Sequence, residues 1–202
     1  MPFWSTTFQN TEDVLKDPKR NFRFFITITG ITTDNGGSMV WYAKDVQKPT
    51  FTLAEATHEY LNHTYYYPGK VTWNPVEIKM VDPGGDPDVA ATLAGIMSGA
   101  GYKLPVTPDS DNLTSMSKQK AAGAIGTVKI TQVDSEGKPM ETWTLWNAFA
   151  QEVQFGGTLA YGNDELTEYV LKIRYDWAQL ETAAGGSSVA QPGEKLFFDI
   201  SR

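Results

Sequence analysis

The stretch EYVLKIRYDW, residues 168–177, alternates more strictly than any other part of the chain. Tyr169, Leu171, Ile173, Tyr175 and Trp177 fall on one side of a period of two, with Glu168, Lys172, Arg174 and Asp176 on the other. Successive side chains of a strand point to opposite faces, so this pattern predicts one strand with a packed face, carrying Trp177, and a wet face. A half-buried strand needs neighbours and a covering layer, which makes the chain a sheet protein. The same period recurs in NFRFFITITGI, where Phe22, Phe24, Ile26 and Ile28 alternate with Arg23, Thr27 and Thr29. MVWYAKDV (39–46) predicts a second strand, and the DNGG turn signal at 34–37 leads us to expect that these two strands pair as a hairpin. GTVKITQV (126–133) and METWTLWNAF (140–149), separated by Ser135-Glu136-Gly137, form another expected hairpin. Ala150–Phe155 should continue its second strand past a bend.

Helical periodicity is confined to the middle of the chain. In VAATLAGIMSGAG, Val89, Leu93, Ile96, Met97 and Ala100 make one apolar stripe. Asp86 is the expected N-cap, Pro87 suits the first turn, and Gly99 and Gly101 end the helix. Leu113–Ala122 is a candidate for a short second helix.

Residues 48–70 carry Thr50, Thr52, Thr57 and the run Tyr65, Tyr66, Tyr67, a composition that favours extended structure. They are predicted to form an excursion of two long strands or a large loop. Val71 and Trp73 then share a face, but Val76, Ile78 and Met80 continue on even positions. One extra residue flips every side chain, so Pro75 should mark a bend, a bulge or an edge position.

The residues offer little to catalysis. The absence of cysteine excludes disulfides, thiol nucleophiles and thiolate metal sites. The two histidines, His58 and His63, are five apart, about 140° around a helix and on opposite faces of a strand, which does not suit a metal. Asp82, Asp86 and Asp88 are interrupted by prolines and read as turn and cap rather than a calcium loop. Gly95, Gly99 and Gly101 lie in and after a helix, not between strand and helix as a phosphate loop requires. The carboxylates available as pairs, Glu165 with Glu168 and Glu141 with Glu152, sit on expected solvent faces. No enzyme activity, metal or cofactor is therefore expected.

A net charge of −7 argues against gripping a phosphate backbone or an anionic membrane. No apolar run approaches the roughly 20 residues of a membrane-spanning helix. The opening MPFWSTTFQNTEDV lacks the basic and apolar regions of a secretion signal, so synthesis in the cytoplasm is expected.

The surplus is aromatic. Phe3, Trp4 and Phe8 stand in an otherwise polar N-terminal arm, residues 1–20. Phe51, Tyr60, Tyr65, Tyr66, Tyr67 and Trp73 crowd the excursion of the central domain, residues 21–181. Phe197 and Phe198 lie in a strand-like end beyond the Gly/Ser-rich linker, within the tail 182–202, and such a strand often adds to a sheet edge. Aromatics gathered on arms and excursions suit a subunit interface, and a sugar-binding platform is the alternative.

WYAKDVQKPTFTLAEATHEYLNHTYYYPGKVTWNPVEIKMVDP and TLWNAFAQEVQFGGTLAYGNDELTEYVLKIRYDWA, with the opening KDPKRNFRF, resemble the tail tube proteins of contractile-tailed phages, in particular T4-like phages of marine cyanobacteria. The resemblance runs from about Lys16 to Glu181. It implies a mainly β (α+β) fold: an antiparallel β-sandwich or barrel, one flanking α-helix at Asp88–Ala100, and a long hairpin excursion. It further implies hexameric rings whose inner strands join into one barrel and which stack into a tube inside a contractile sheath. DNA would pass through the lumen, baseplate or tube-initiator proteins would be partners, and the virion tail would be the location. Thr50–Gly69 would be the element contacting neighbouring copies. A tube initiator or terminator, a secretion-system tube of related fold and a carbohydrate-binding β-sandwich remain the other readings.

Overall fold

The computed structural model describes residues 18–30, 43–82, 84–85, 88–104, 115–162, 164–183 and 195–196. The fold is mainly β and antiparallel, as expected, and among the described residues it carries two helices, the flanking one and the short second one. Its strands are β1 (Phe24–Ile28), β2 (Ala43–Val46), β3 (Phe51–Tyr60), β4 (His63–Trp73), β5 (Val76–Val81), β6 (Val128–Val133), β7 (Pro139–Trp146), β8 (Phe149–Gln154), β9 (Glu168–Arg174), β10 (Trp177–Thr182) and β11 (Lys195–Leu196). The helices α1 (Val89–Gly99) and α2 (Lys118–Ile125) lie between β5 and β6.

The strands form a five-stranded sheet in the order β1-β6-β7-β10-β11, a four-stranded sheet in the order β2-β5-β9-β8, and the separate hairpin β3-β4. No closed barrel forms among the described residues. The core lies between the two sheets and under α1, with Ile26, Ile78, Leu93, Leu145, Leu171 and Ile173 all buried.

The strand expected over 168–177 is in fact two. β9 ends at Arg174, and β10 belongs to the other sheet. The same break separates β7 from β8, so a two-stranded ribbon turns the corner from one sheet to the other. Asp176 holds that corner. Its N–H donates to the Trp146 carbonyl at 3.1 Å, and its carboxylate accepts from Asn147 Nδ2 and Lys118 Nζ, at 2.8 and 2.7 Å to Oδ2. Asn147 takes the left-handed conformation, φ 53°, which asparagine tolerates better than most residues. The corner resets the phase: Leu171, Ile173 and Tyr175 are buried, then Ala178 takes the packed position and Trp177 is only half-buried.

The expected pairing of the first two strands does not occur. β1 pairs with β6 and β2 with β5, in different sheets. A turn signal fixes where a chain can reverse, but partners are set by which faces bury together; the DNGG turn lies outside the described residues. The expected β6–β7 hairpin is present. The N-cap of α1 is Asp88, whose Oδ1 accepts from the Ala91 N–H at 3.1 Å; the expected cap Asp86, with Pro87, lies outside the described residues. The expected stripe packs inward through Val89, Leu93, Ile96 and Ala100, with Met97 half-exposed. α2 starts later than Leu113, capped by Ser117, and ends at Gly126. Gly30 donates to the Ile125 carbonyl at 2.8 Å, and a Cβ there would stand 2.1 Å from the Ala124 oxygen, so only glycine fits.

Candidate functional site

The excursion is a long hairpin. β3 and β4 pair from Tyr60↔His63 at the tip to Phe51↔Trp73 at the root. The tip turns through Leu61 and Asn62, with Leu61 at φ 55°. All ten residues of β3 are exposed, as are those of β4 except Thr64 and Trp73. At about 3.3 Å per residue the hairpin reaches roughly 33 Å. Its root is fixed: the Asn74 N–H donates to the Thr50 carbonyl at 2.8 Å, and Asn74 Nδ2 donates to the hydroxyls of Thr50 and Thr52 at 3.1 and 3.3 Å.

Register assigns the side chains to faces. Tyr60↔His63, His58↔Tyr65 and Ala56↔Tyr67 share one side; Glu59↔Thr64, Thr57↔Tyr66 and Glu55↔Pro68 share the other. Gly69 and Lys70 together oppose Ala54, a bulge that brings Val71 and Trp73 onto the side of Tyr66. A Cβ on Gly69 would meet the Ala54 oxygen at 2.9 Å. The tyrosine run is thus divided, with Tyr66 on one face and Tyr65 and Tyr67 on the other, where they join Tyr60, His58 and His63. His58 and His63 share a face, and His63 packs edge-on to Tyr65 at 4.7 Å.

Of the aromatics expected at an interface, Phe51, Tyr60, Tyr65, Tyr66 and Tyr67 are exposed on this hairpin. Trp73 is not: at 7% exposure it lies in the domain's own core, against Phe51 at 5.2 Å and Tyr175 at 6.0 Å. It sits at the root, where the hairpin joins the body, so its place is structural. Phe3, Trp4, Phe8, Phe197 and Phe198 lie outside the described residues. Of the C-terminal tail, β11 pairs with β10 at the edge of its own five-stranded sheet.

The hairpin's attachment includes a carboxylate that sequence reading passed over as one acid among several. Glu141, on β7, is 11% exposed. It accepts from Lys48 Nζ at 2.8 Å, from Trp143 Nε1 at 2.7 Å and from Lys19. Its cross-strand partner Gln132 accepts from the same Lys48 at 2.9 Å and donates to the Arg20 carbonyl at 3.0 Å. One pair of side chains thereby holds residues 19–20, just before β1, and Lys48, just before β3. Burial opposes ionisation of Glu141, but the two ammonium groups and the indole N–H outweigh it and hold the carboxyl at about 2. Lys44 likewise lowers Glu168. A catalytic acid needs the opposite shift, so neither carboxyl is placed to donate a proton near neutral pH. Among the described residues no group of three metal-ligating side chains converges.

Two further features lie at opposite ends of the four-stranded sheet. At the hairpin root, an open groove of about 590 Å³ is lined by Val71, Trp73, Met116, Phe149 and Tyr175, with Lys118, Arg174 and Asp176 among its polar lining. At the far end, the connection between β8 and β9 exposes Leu159, Tyr161 and Leu166 at 86%, 113% and 70%. Large apolar residues standing among its glycines are the signal of it in the sequence.

No family model matches the sequence, and no curated protein matches it. Solved structures do. A chain of the anti-feeding prophage tube-terminating cap aligns with a TM-score of 0.60 at 13% identity, over 88% of this chain and 100% of its own. A chain of the six-fold symmetrised anti-feeding prophage baseplate gives 0.58 at 15% identity, over 83% and 98%. A chain of the sheath/tube terminator of the extracellular contractile injection system PVC gives 0.58 at 10% identity, over 83% and 99%. At such identities the likeness is one of fold: this chain has a fold found in the tube-end and baseplate structures of contractile injection systems.

Proposed function

We propose that this chain is a structural subunit of a contractile tail tube, working as one of many identical copies. The observation that carries the reading is the hairpin. A two-stranded ribbon wet on both faces is marginal on its own in water, and its free edges invite pairing. Its exposed Phe51, Tyr60, Tyr65, Tyr66 and Tyr67 are residue types that interfaces favour. The fold shared with contractile injection structures supports the same reading.

The four-stranded sheet supports ring formation. Its order β2-β5-β9-β8 leaves β2 and β8 without an outer partner among the described residues, and every internal pairing is antiparallel. With four strands, β8 runs opposite to β2, so β8 of one copy beside β2 of the next continues the same antiparallel order. Repetition around a ring removes every such edge. Six copies per ring, a phage virion as the location, and sheath and baseplate or initiator partners follow from the sequence resemblance. The net charge of −7 suits a conduit, because a wall of like charge gives passing DNA little to hold.

The test is negative-stain microscopy of the purified chain over a concentration series. Rings or tubes of uniform width are expected, and a monomer under all conditions would overturn the reading. A tube terminator is the second reading, favoured by the likeness to chains of two structures that contain a tube terminator or terminating cap. Copy number per purified particle separates them: many copies for a tube subunit, one ring for a terminator.

A further inference from the structure

We infer that the groove at the hairpin root receives the β8–β9 connection of another copy, giving a head-to-tail contact along the strands of the four-stranded sheet. This rests on the tube reading for its setting, but its grounds are separate. The register places the two surfaces. Val76 pairs with Ile173 and Phe149 with Arg174 at the groove end, whereas Val81 pairs with Glu168 and Gln154 with Val170 at the other end. β5 has six residues, so about 20 Å of sheet separates the two surfaces and a molecule cannot fill its own groove.

The surfaces match in character. The buried Trp73 and Tyr175 floor the groove, and its accessible apolar surface is Val71, Phe149 and the adaptable thioether of Met116, itself 43% exposed. The connection offers Leu159, Tyr161 and Leu166, three large apolar side chains that gain from leaving water. They also differ in charge. Lys118 is held by Asp176, which leaves the groove the charge of Arg174, while Asp164 and Glu165 flank the exposed leucines and tyrosine near the one cation Lys44. A contact between two different patches of one molecule repeats without limit unless a rotation closes it. The sheet edges serve the ring, and this contact serves the stack.

Cross-linking tests it cleanly, because the chain contains no cysteine. A chain carrying both Leu159→Cys and Met116→Cys should form a ladder of disulfide-linked multimers under mild oxidant when assembled, and each single variant should not. A second measurement uses Leu159→Asp with Tyr161→Asp, two exposed positions whose change spares the core. This variant should retain rings and lose tubes, at least tenfold in assembled length at equal concentration. If wild-type rings and tubes form but the double-cysteine chain gives no ladder, or the Asp variant makes tubes like wild type, the inference fails and the tube reading survives. If the wild-type chain forms neither rings nor tubes, both fail together.

Discussion

β4 and β5 are separated only by Asn74 and Pro75, yet they obey different physics. β5 buries Val76, Ile78 and Met80 on one face and leaves Glu77, Lys79 and Val81 half-covered on the other. β4 is exposed nearly throughout and becomes buried only at its last residue, Trp73. The first strand is held by packing between sheets, the second by a single partner strand and a hydrogen-bonded root. A strand's backbone pairing can be complete while its side chains contribute almost nothing to the stability of the isolated molecule, and such a strand is free to contribute elsewhere.

The largest effect should come from the packed side of this contrast. Leu171→Ala in the core removes a fully buried side chain and should cost about 2–5 kcal/mol, read by chemical denaturation. A loss below the lower end of that range would place Leu171 outside the core and erase the contrast.

The clamp between the two regions should matter less. Glu141→Gln leaves two ammonium groups facing a neutral amide and should cost about 1–3 kcal/mol at neutral pH. The carboxyl lies near 2 in the folded chain against an ordinary 4.5, so the stability it provides is complete above pH 4.5 and is lost as pH falls toward 2. Wild type should therefore lose up to about 3 kcal/mol across that window that Glu141→Gln does not lose. Parallel pH profiles for the two proteins would show that Glu141 does not join Lys19 and Lys48 to the body.

The smallest effect on the isolated chain sharpens the comparison most. Tyr66→Ser, at the exposed middle of β4, should change unfolding by no more than about 0.5 kcal/mol while weakening assembly measured by light scattering. If this variant melts as early as Leu171→Ala, the hairpin is packed against its own body.

Much of the body was legible in the sequence, because a half-buried strand writes its environment into a period of two. β5, β6, β7, β9 and the stripe of α1 could be read that way. The phase change at Pro75 also foretold a real event, the passage from hairpin to sheet. What periodicity could not report was a change of sheet within an unbroken alternation. Tyr175 and Trp177 look equivalent in sequence, but the corner at Asp176 buries one and leaves the other half-covered. Nor could it give partners: β1 and β2 looked like a hairpin and lie in different sheets.

For the candidate site, the sequence pointed to an excursion over residues 48–70, two long strands or a large loop, rich in aromatic side chains, since those are properties of local residue type. Only the tertiary structure decided that Trp73 belongs to the core and its neighbours do not, that Glu141 gathers Lys19 and Lys48 from far along the chain, and that the groove and the β8–β9 connection stand at opposite ends of one sheet. Those facts depend on register and on contacts between distant segments, and a local pattern of residues carries neither.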